Sequence, residues 1–217
     1  PGNEIKKAKI LYNKFKNEGY EGEILESEPG RGNFILKIKG KDSKAPSLLL
    51  LSHLDVVPAD PEKWKHPPFS GYFDGKFIWG RGAIDCANVT ISEVMGLIQA
   101  LREGFKPNGD IILAATADEE KGGKYGIIWL LENYPEKLKA DFVLNEGIGI
   151  KLPLGKKPQY LIQHAEKGVY WIKIVYKGTP AHASVPELGD NAIIKISNII
   201  QKINDYKIPT VITPAYK

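Results

Sequence analysis

Apolar side chains recur at helical spacing over residues 4–17 (Ile5, Ala8, Leu11 and Phe15), and Gly19 ends the run. Four short β-rich runs follow along the chain: Phe34 to Ile38, Leu48 to Leu51, Ile111 to Thr116 and Phe142 to Leu144. Between the second and third, Ile91, Val94, Ile98 and Leu101 mark an amphipathic helix closed by Gly104. Residues 126–132 predict another helix between the third and fourth. Continuous apolar strands alternating with amphipathic helices predict an α/β fold whose sheet is covered by helices on both faces.

The texture changes near Gly168. Val169 to Tyr176 alternates like a strand, and Ile193, Ile196, Ile200 and Ile203 form a helical stripe. A strand and a helix cannot close a core alone. Residues 1–167 are therefore expected to form one domain, and 168–217 the opening of a second.

Composition narrows the class. At 217 residues, with 42% hydrophobic and 26% charged, the chain reads as folded and globular rather than disordered, collagenous or coiled. No apolar run approaches the roughly 18 residues of a membrane span, so no membrane partner is expected. The single cysteine, Cys86, rules out an internal disulfide framework and a cysteine-rich zinc ribbon. The chain opens at Pro1 without a signal-peptide pattern, and a cytoplasmic location is the expectation. Net charge is only +4, the arginines are Arg31, Arg81 and Arg102, and the lysines are scattered. No nucleic-acid partner is expected from that distribution.

The chemistry gathers at strand ends, where open α/β sheets bind ligands. Ser52-His53-Leu54-Asp55 follows one apolar run, and Asp85 opens the helix after Gly80-Arg81-Gly82. Asp118-Glu119-Glu120 and Asn145-Glu146 follow two more. A histidine after a strand is ordinarily structural. In H-x-D spacing, however, both side chains point to one side, so Asp55 can hold one imidazole nitrogen and free the other for a metal. Adjacent carboxylates such as Glu119 and Glu120 are ordinarily a solvated pair. At the rim of a buried sheet they repel unless a cation or proton intervenes. Imidazole with hard oxygen donors suits zinc, manganese or cobalt.

The blocks SHLDVVP (52–58), Trp64 with PPFSG (67–71), GRGAID (80–85), ATADEEKGG (115–123) and LNEG (144–147) resemble the M20 family of metallopeptidases and deacylases. That family includes carboxypeptidases, aminoacylases and succinyl-diaminopimelate desuccinylase. GTPAHASVPELGDNAI (178–193) resembles the start of its lid domain. The resemblance implies a zinc-exopeptidase-like catalytic domain built on a mixed, mostly parallel sheet, followed by the first part of an α+β lid, in a chain incomplete at both ends. It further implies two zinc ions, with His53 and Glu146 on one, Glu120 on the other and Asp85 bridging. Glu119 would be the general base, Asp55 the residue that orients His53, and His182 a lid histidine that polarises the scissile carbonyl, often across a homodimer interface. A cis peptide at Asp85–Cys86 is also implied.

Two departures stand out. Where the family often has D-M-K-G, the chain reads Asp85-Cys86-Ala87-Asn88. Cys86 can be read as a metal ligand or as a small buried helix residue; the second is expected. Nothing matches the family's later histidine ligand to the second zinc, since His66 and His164 occupy no ligand position and are expected on the surface or in packing. The expected activity is hydrolysis of an amide bond at a peptide C-terminus or in an N-acyl amino acid. One alternative is a di-zinc exopeptidase selecting a free amino terminus. A second is a catalytically incomplete fragment or single-metal binding module, and a third is a plain scaffold with rim carboxylates.

Overall fold

The run Ile111–Thr116 forms the most enclosed strand of a five-stranded sheet, with Ile112, Leu113, Ala114 and Ala115 all buried. The computed structural model describes residues 2–147, 151–153, 155, 157–163, 166, 168 and 170–212. Contacts divide the chain into two units, residues 1–147 and 148–217. In the first, the elements run α1 (Ile5–Asn17), β1 (Glu23–Glu26), β2 (Gly32–Ile38), β3 (Leu48–His53), β4 (Tyr72–Phe73), β5 (Ile78–Trp79), α2 (Asn88–Arg102), β6 (Ile111–Thr116), α3 (Ile127–Asn133), α4 (Pro135–Leu138) and β7 (Phe142–Leu144).

The sheet order is β1-β2-β6-β3-β7. Strands β6, β3 and β7 are parallel, whereas β2 runs antiparallel to β6 and β1 antiparallel to β2. Alternation within β2 assigns the two faces. Phe34, Leu36 and Ile38 join Ala8, Leu11 and Phe15 of α1 and Val94, Leu97 and Ile98 of α2. Ile35 turns the other way, toward Leu49, Ile112, Leu130 of α3 and Leu138 of α4. Helices therefore cover both faces, which is why the central strands read as unbroken apolar runs.

By length and composition alone, the stretch Ala83–Arg102 is sufficient to cross a bilayer. Within it, Val94, Leu97 and Ile98 of α2 are buried in the sheet-facing core. Strand β1 and the β4–β5 hairpin add elements that the apolar pattern did not mark.

In the second unit, β8 (Lys151–Leu152) pairs antiparallel with β9 (Gln159–Tyr160), and α5 spans Ala192–Asp205. The Asn191 side chain caps α5 by accepting from the Ile193 N–H at 2.9 Å. The strand expected at Val169–Tyr176 is not found: residues 170–176 form no strand, and 169 lies outside the described residues. Alternation sets which side chains share a face, but a strand also needs a neighbour to complete its hydrogen bonds, and none pairs with this segment among the described residues.

Candidate metal centre

Parallel pairing places His53 opposite Thr116, so the chain leaving β3 and the chain leaving β6 emerge side by side at the carboxyl edge of the sheet. Asp55 follows one strand and Glu119 and Glu120 the other. Leu144 at the end of β7 lies opposite Leu50, which brings Glu146 to the same rim. Asp85 arrives from the widened turn Ala83–Ala87 that leads into α2, where its backbone leaves helical geometry (φ −116°, ψ 101°). The Asp85–Cys86 peptide is cis.

His53 is the hub. Its side chain is 2% exposed, and Nε2 lies 2.9 Å from Asp85 Oδ1, 3.5 Å from Glu146 Oε2 and 3.7 Å from Glu119 Oε2. On its other side, Nδ1 is 3.1 Å from the Asp55 carbonyl oxygen and 3.4 Å from Asp55 Oδ1. The Asp55 carboxylate also accepts the backbone N–H groups of Glu119 (3.0 Å) and Glu120 (3.2 Å). One buried side chain thus fixes both the imidazole and the turn that presents the two glutamates.

Two overlapping groups have donor atoms all within 4.8 Å of one another: His53 with Asp85 and Glu120, and His53 with Cys86 and Glu146. This donor set fits a divalent cation. An imidazole held by a carboxylate on its far nitrogen is the usual support for a metal ligand. Burial works against a charged His53, yet its contacts with Asp55 and Cys86 and the nearby Glu146 outweigh that penalty and push it up to about 11. The rim therefore favours positive charge at Nε2, the place where a metal would replace the proton. Burial, then the like charges of Glu146, Glu120 and Asp55, raise the Glu119 carboxyl above its ordinary range. Glu120 is raised likewise, by burial and then by Asp85. Asp55 is held low: burial opposes this, but the His53 contact and the two backbone N–H groups prevail.

Cys86 is 1% exposed, and its Sγ accepts from the His53 backbone N–H at 3.3 Å. Its side chain is thus packed under the strand end as well as belonging to the second donor group. His66 stacks on Tyr72 with ring centroids 4.0 Å apart, a packing role as expected. His164 lies outside the described residues. His182 belongs to the second unit, where its Nδ1 accepts the Ser184 backbone N–H at 3.3 Å and lies 2.8 Å from Ser184 Oγ. A neutral ring so bound carries its proton on Nε2, ready to donate. A cavity of about 600 Å³ lined by Thr179, Pro180, Ala181, Asp190 and Asn191 adjoins it.

The sequence reading missed the residues that support the turn from behind. Asn33 of β2 is fully buried and continues the sheet beyond its ladder. Its Oδ1 accepts the Ala117 N–H at 2.8 Å, and its Nδ2 donates to the Tyr125 carbonyl at 3.2 Å. The available signal was a polar amide in an otherwise apolar strand. Gly126 closes the same segment against Ala117, and a Cβ there would lie 1.8 Å from the Ala117 carbonyl oxygen. Gly126→Ala is expected to destabilise the protein by about 1–3 kcal/mol, the range for forced overpacking. Thermal unfolding checks this; an unchanged midpoint would contradict the close approach.

A mixed α/β sheet carrying a buried histidine and several carboxylates at its carboxyl rim defines the class as an α/β protein with a candidate metal site. Residues 49–209 match the Peptidase family M20/M25/M40, and the chain belongs to that family. It is 38% identical to carboxypeptidase S of Saccharomyces cerevisiae over 157 residues, covering 68% of this chain and 27% of that protein. To aminoacylase-1 of Mus musculus it is 30% identical over 197 residues, covering 89% and 47%. Among solved structures, an M20 metallo-carboxypeptidase from Sulfolobus solfataricus is similar at 27% identity and a TM-score of 0.58, over 67% of this chain and 32% of that one. A Staphylococcus aureus tripeptidase is similar at 25% identity and a TM-score of 0.57, over 93% and 51%. The chain spans less than half the length of these two curated relatives.

Proposed function

We propose that this chain carries the metal centre of a hydrolase that cleaves the amide bond of an N-acyl amino acid or of a peptide at its C-terminus. The observation that carries this reading is the convergence of Asp85, Glu119 and Glu146 on the Nε2 face of one buried imidazole. Carboxypeptidase S and aminoacylase-1, by their names, represent the two substrate classes.

His53, Asp85, Glu120 and Glu146 would together hold a pair of metal ions. Zinc is the first choice, with cobalt or manganese also suited to this donor set. When bound, the metal supplies Lewis acidity that polarises the scissile carbonyl and acidifies water. The protein's own part rests on Glu119. Its Oε2 accepts the proton of the attacking water and later returns it to the leaving amine nitrogen. Burial and neighbouring carboxylates make Glu119 a better proton acceptor than an ordinary glutamate.

A second reading has its own support. Both donor groups use the same imidazole, which matches a single-metal site more readily than two independent ones. Metal titration separates the two readings: two tight equivalents per chain support the di-metal enzyme, and one supports the single-metal reading.

The functional test uses the full-length protein and a substrate panel. N-acyl amino acids and amine-blocked dipeptides should be hydrolysed, whereas carboxylate-blocked peptides with a free amine should not. Chelation should remove the activity, and zinc, cobalt or manganese should restore it. Preference for the free-amine substrates would overturn the assignment of substrate class, and activity indifferent to chelation would overturn the metal centre itself.

A further inference from the structure

Behind Glu119 and Glu120 lies a buried ionic chain that the proposed chemistry does not use. Asp118, the residue before Glu119, holds a left-handed backbone (φ 68°) that non-glycine residues adopt at a cost. Its carbonyl accepts the N–H groups of Lys121 (3.1 Å) and Gly123 (2.7 Å), which shapes the turn. Its carboxylate accepts the Tyr125 N–H at 3.2 Å and pairs with the Arg31 guanidinium. Arg31 also lies over the Tyr125 ring at 5.1 Å and makes an ion pair with Glu4 at 3.4 Å. The three charged side chains are 11% (Arg31), 4% (Asp118) and 3% (Glu4) exposed. Removing one partner from such a chain leaves an uncompensated buried charge.

We infer that Arg31 is a positioning residue: through Asp118 it fixes the left-handed turn that delivers Glu119 and Glu120 to the His53 rim. Asp55 grips the same turn from the His53 side through the Glu119 and Glu120 amides, so the turn is held between two buried carboxylates, one tied to His53 and the other to Arg31. Arg31 touches none of the proposed ligands in the described contacts. Its effect on catalysis must therefore pass through the placement of the turn, where a displacement of about 1 Å can lower a rate roughly 10²-fold. The catalytic part of this inference rests on the proposed roles of Glu119 and Glu120; the structural part does not.

The test compares Arg31→Met, Arg31→Lys and Asp118→Asn with Glu119→Gln in the full-length protein. Arg31→Met should lower kcat by about 10–100-fold with KM within about threefold, and Arg31→Lys should recover most of the loss because an ammonium still pairs with Asp118. Amide exchange of Glu119 and Glu120 in the metal-free protein should quicken at least tenfold in Arg31→Met, a readout independent of activity. Should Arg31→Met fail to fold, Asp118→Asn removes the charge pair at nearly constant shape and should show the same kcat loss. A variant with lowered thermal stability but unchanged kcat and unchanged exchange at Glu119 and Glu120 would overturn the inference. If Glu119→Gln proves fully active while exchange still quickens in Arg31→Met, the proposed chemistry falls and the positioning role stands.

Discussion

Glu119→Gln is expected to lower kcat by about 10³-fold, within the range of roughly 10²–10⁴ that a positioned general acid–base supplies. Glutamine keeps the length and planarity of the side chain and its backbone N–H to Asp55, so the turn should survive intact. What it loses is an oxygen able to take and return a proton. Zinc or cobalt affinity should change far less than the rate, because Glu119 is not among the proposed ligands. Steady-state kinetics paired with metal titration makes the separation visible. Retention of activity within tenfold of the parent would remove Glu119 from the mechanism.

The second large effect is expected at Asp55. Asp55→Ala strands the amide N–H groups of Glu119 and Glu120 and removes the carboxylate beside His53 Nδ1, leaving that nitrogen only the Asp55 backbone carbonyl. A buried polar group left without a partner costs about 1–3 kcal/mol, and these groups are partly interdependent, so a loss of about 3 kcal/mol in stability is expected. Metal affinity should fall about 10–100-fold, as for other partners of ligating histidines. Asp55→Asn, which keeps the shape and one acceptor oxygen, should be milder on both counts. The sign with pH follows from the low carboxyl of Asp55. Its contribution is fully present above the unfolded aspartate value of about 3.9 and is lost as pH falls through the lower folded value. Calorimetric unfolding of the metal-free protein and zinc titration measure the two quantities. An alanine variant binding zinc within threefold of the parent would count against the supporting role.

Much of this arrangement was legible in the chain. Periodicity located α1, α2 and α5, and the apolar runs located β3, β6 and β7. Strand-end polar residues then marked the rim, since ionisable groups gathered at the carboxyl ends of parallel strands are where such sheets bind ligands. Strand β1, Glu23–Glu26, was not legible because two of its four residues are acidic and exposed; antiparallel pairing with β2 makes it a strand. The direction of β2 against β6 escaped for a related reason, since periodicity carries no information on pairing. Arg31 and Asn33 escaped because their partners lie 84 to 92 positions away, at Ala117, Asp118 and Tyr125. The alternation over Val169–Tyr176 misled in the opposite sense, since no neighbouring strand pairs with 170–176 among the described residues.

Asn33 has one more consequence. A single side-chain amide engages Ala117 at one end of a segment and Tyr125 at the other, and so acts as a clasp that closes a loop. The entropy of closing that loop is lost when the sheet forms, before any substrate arrives. Glu119 and Glu120 therefore ride on what is in effect a small ring fused to the sheet. The ordering that a free loop would undergo on binding is already complete in the folded chain.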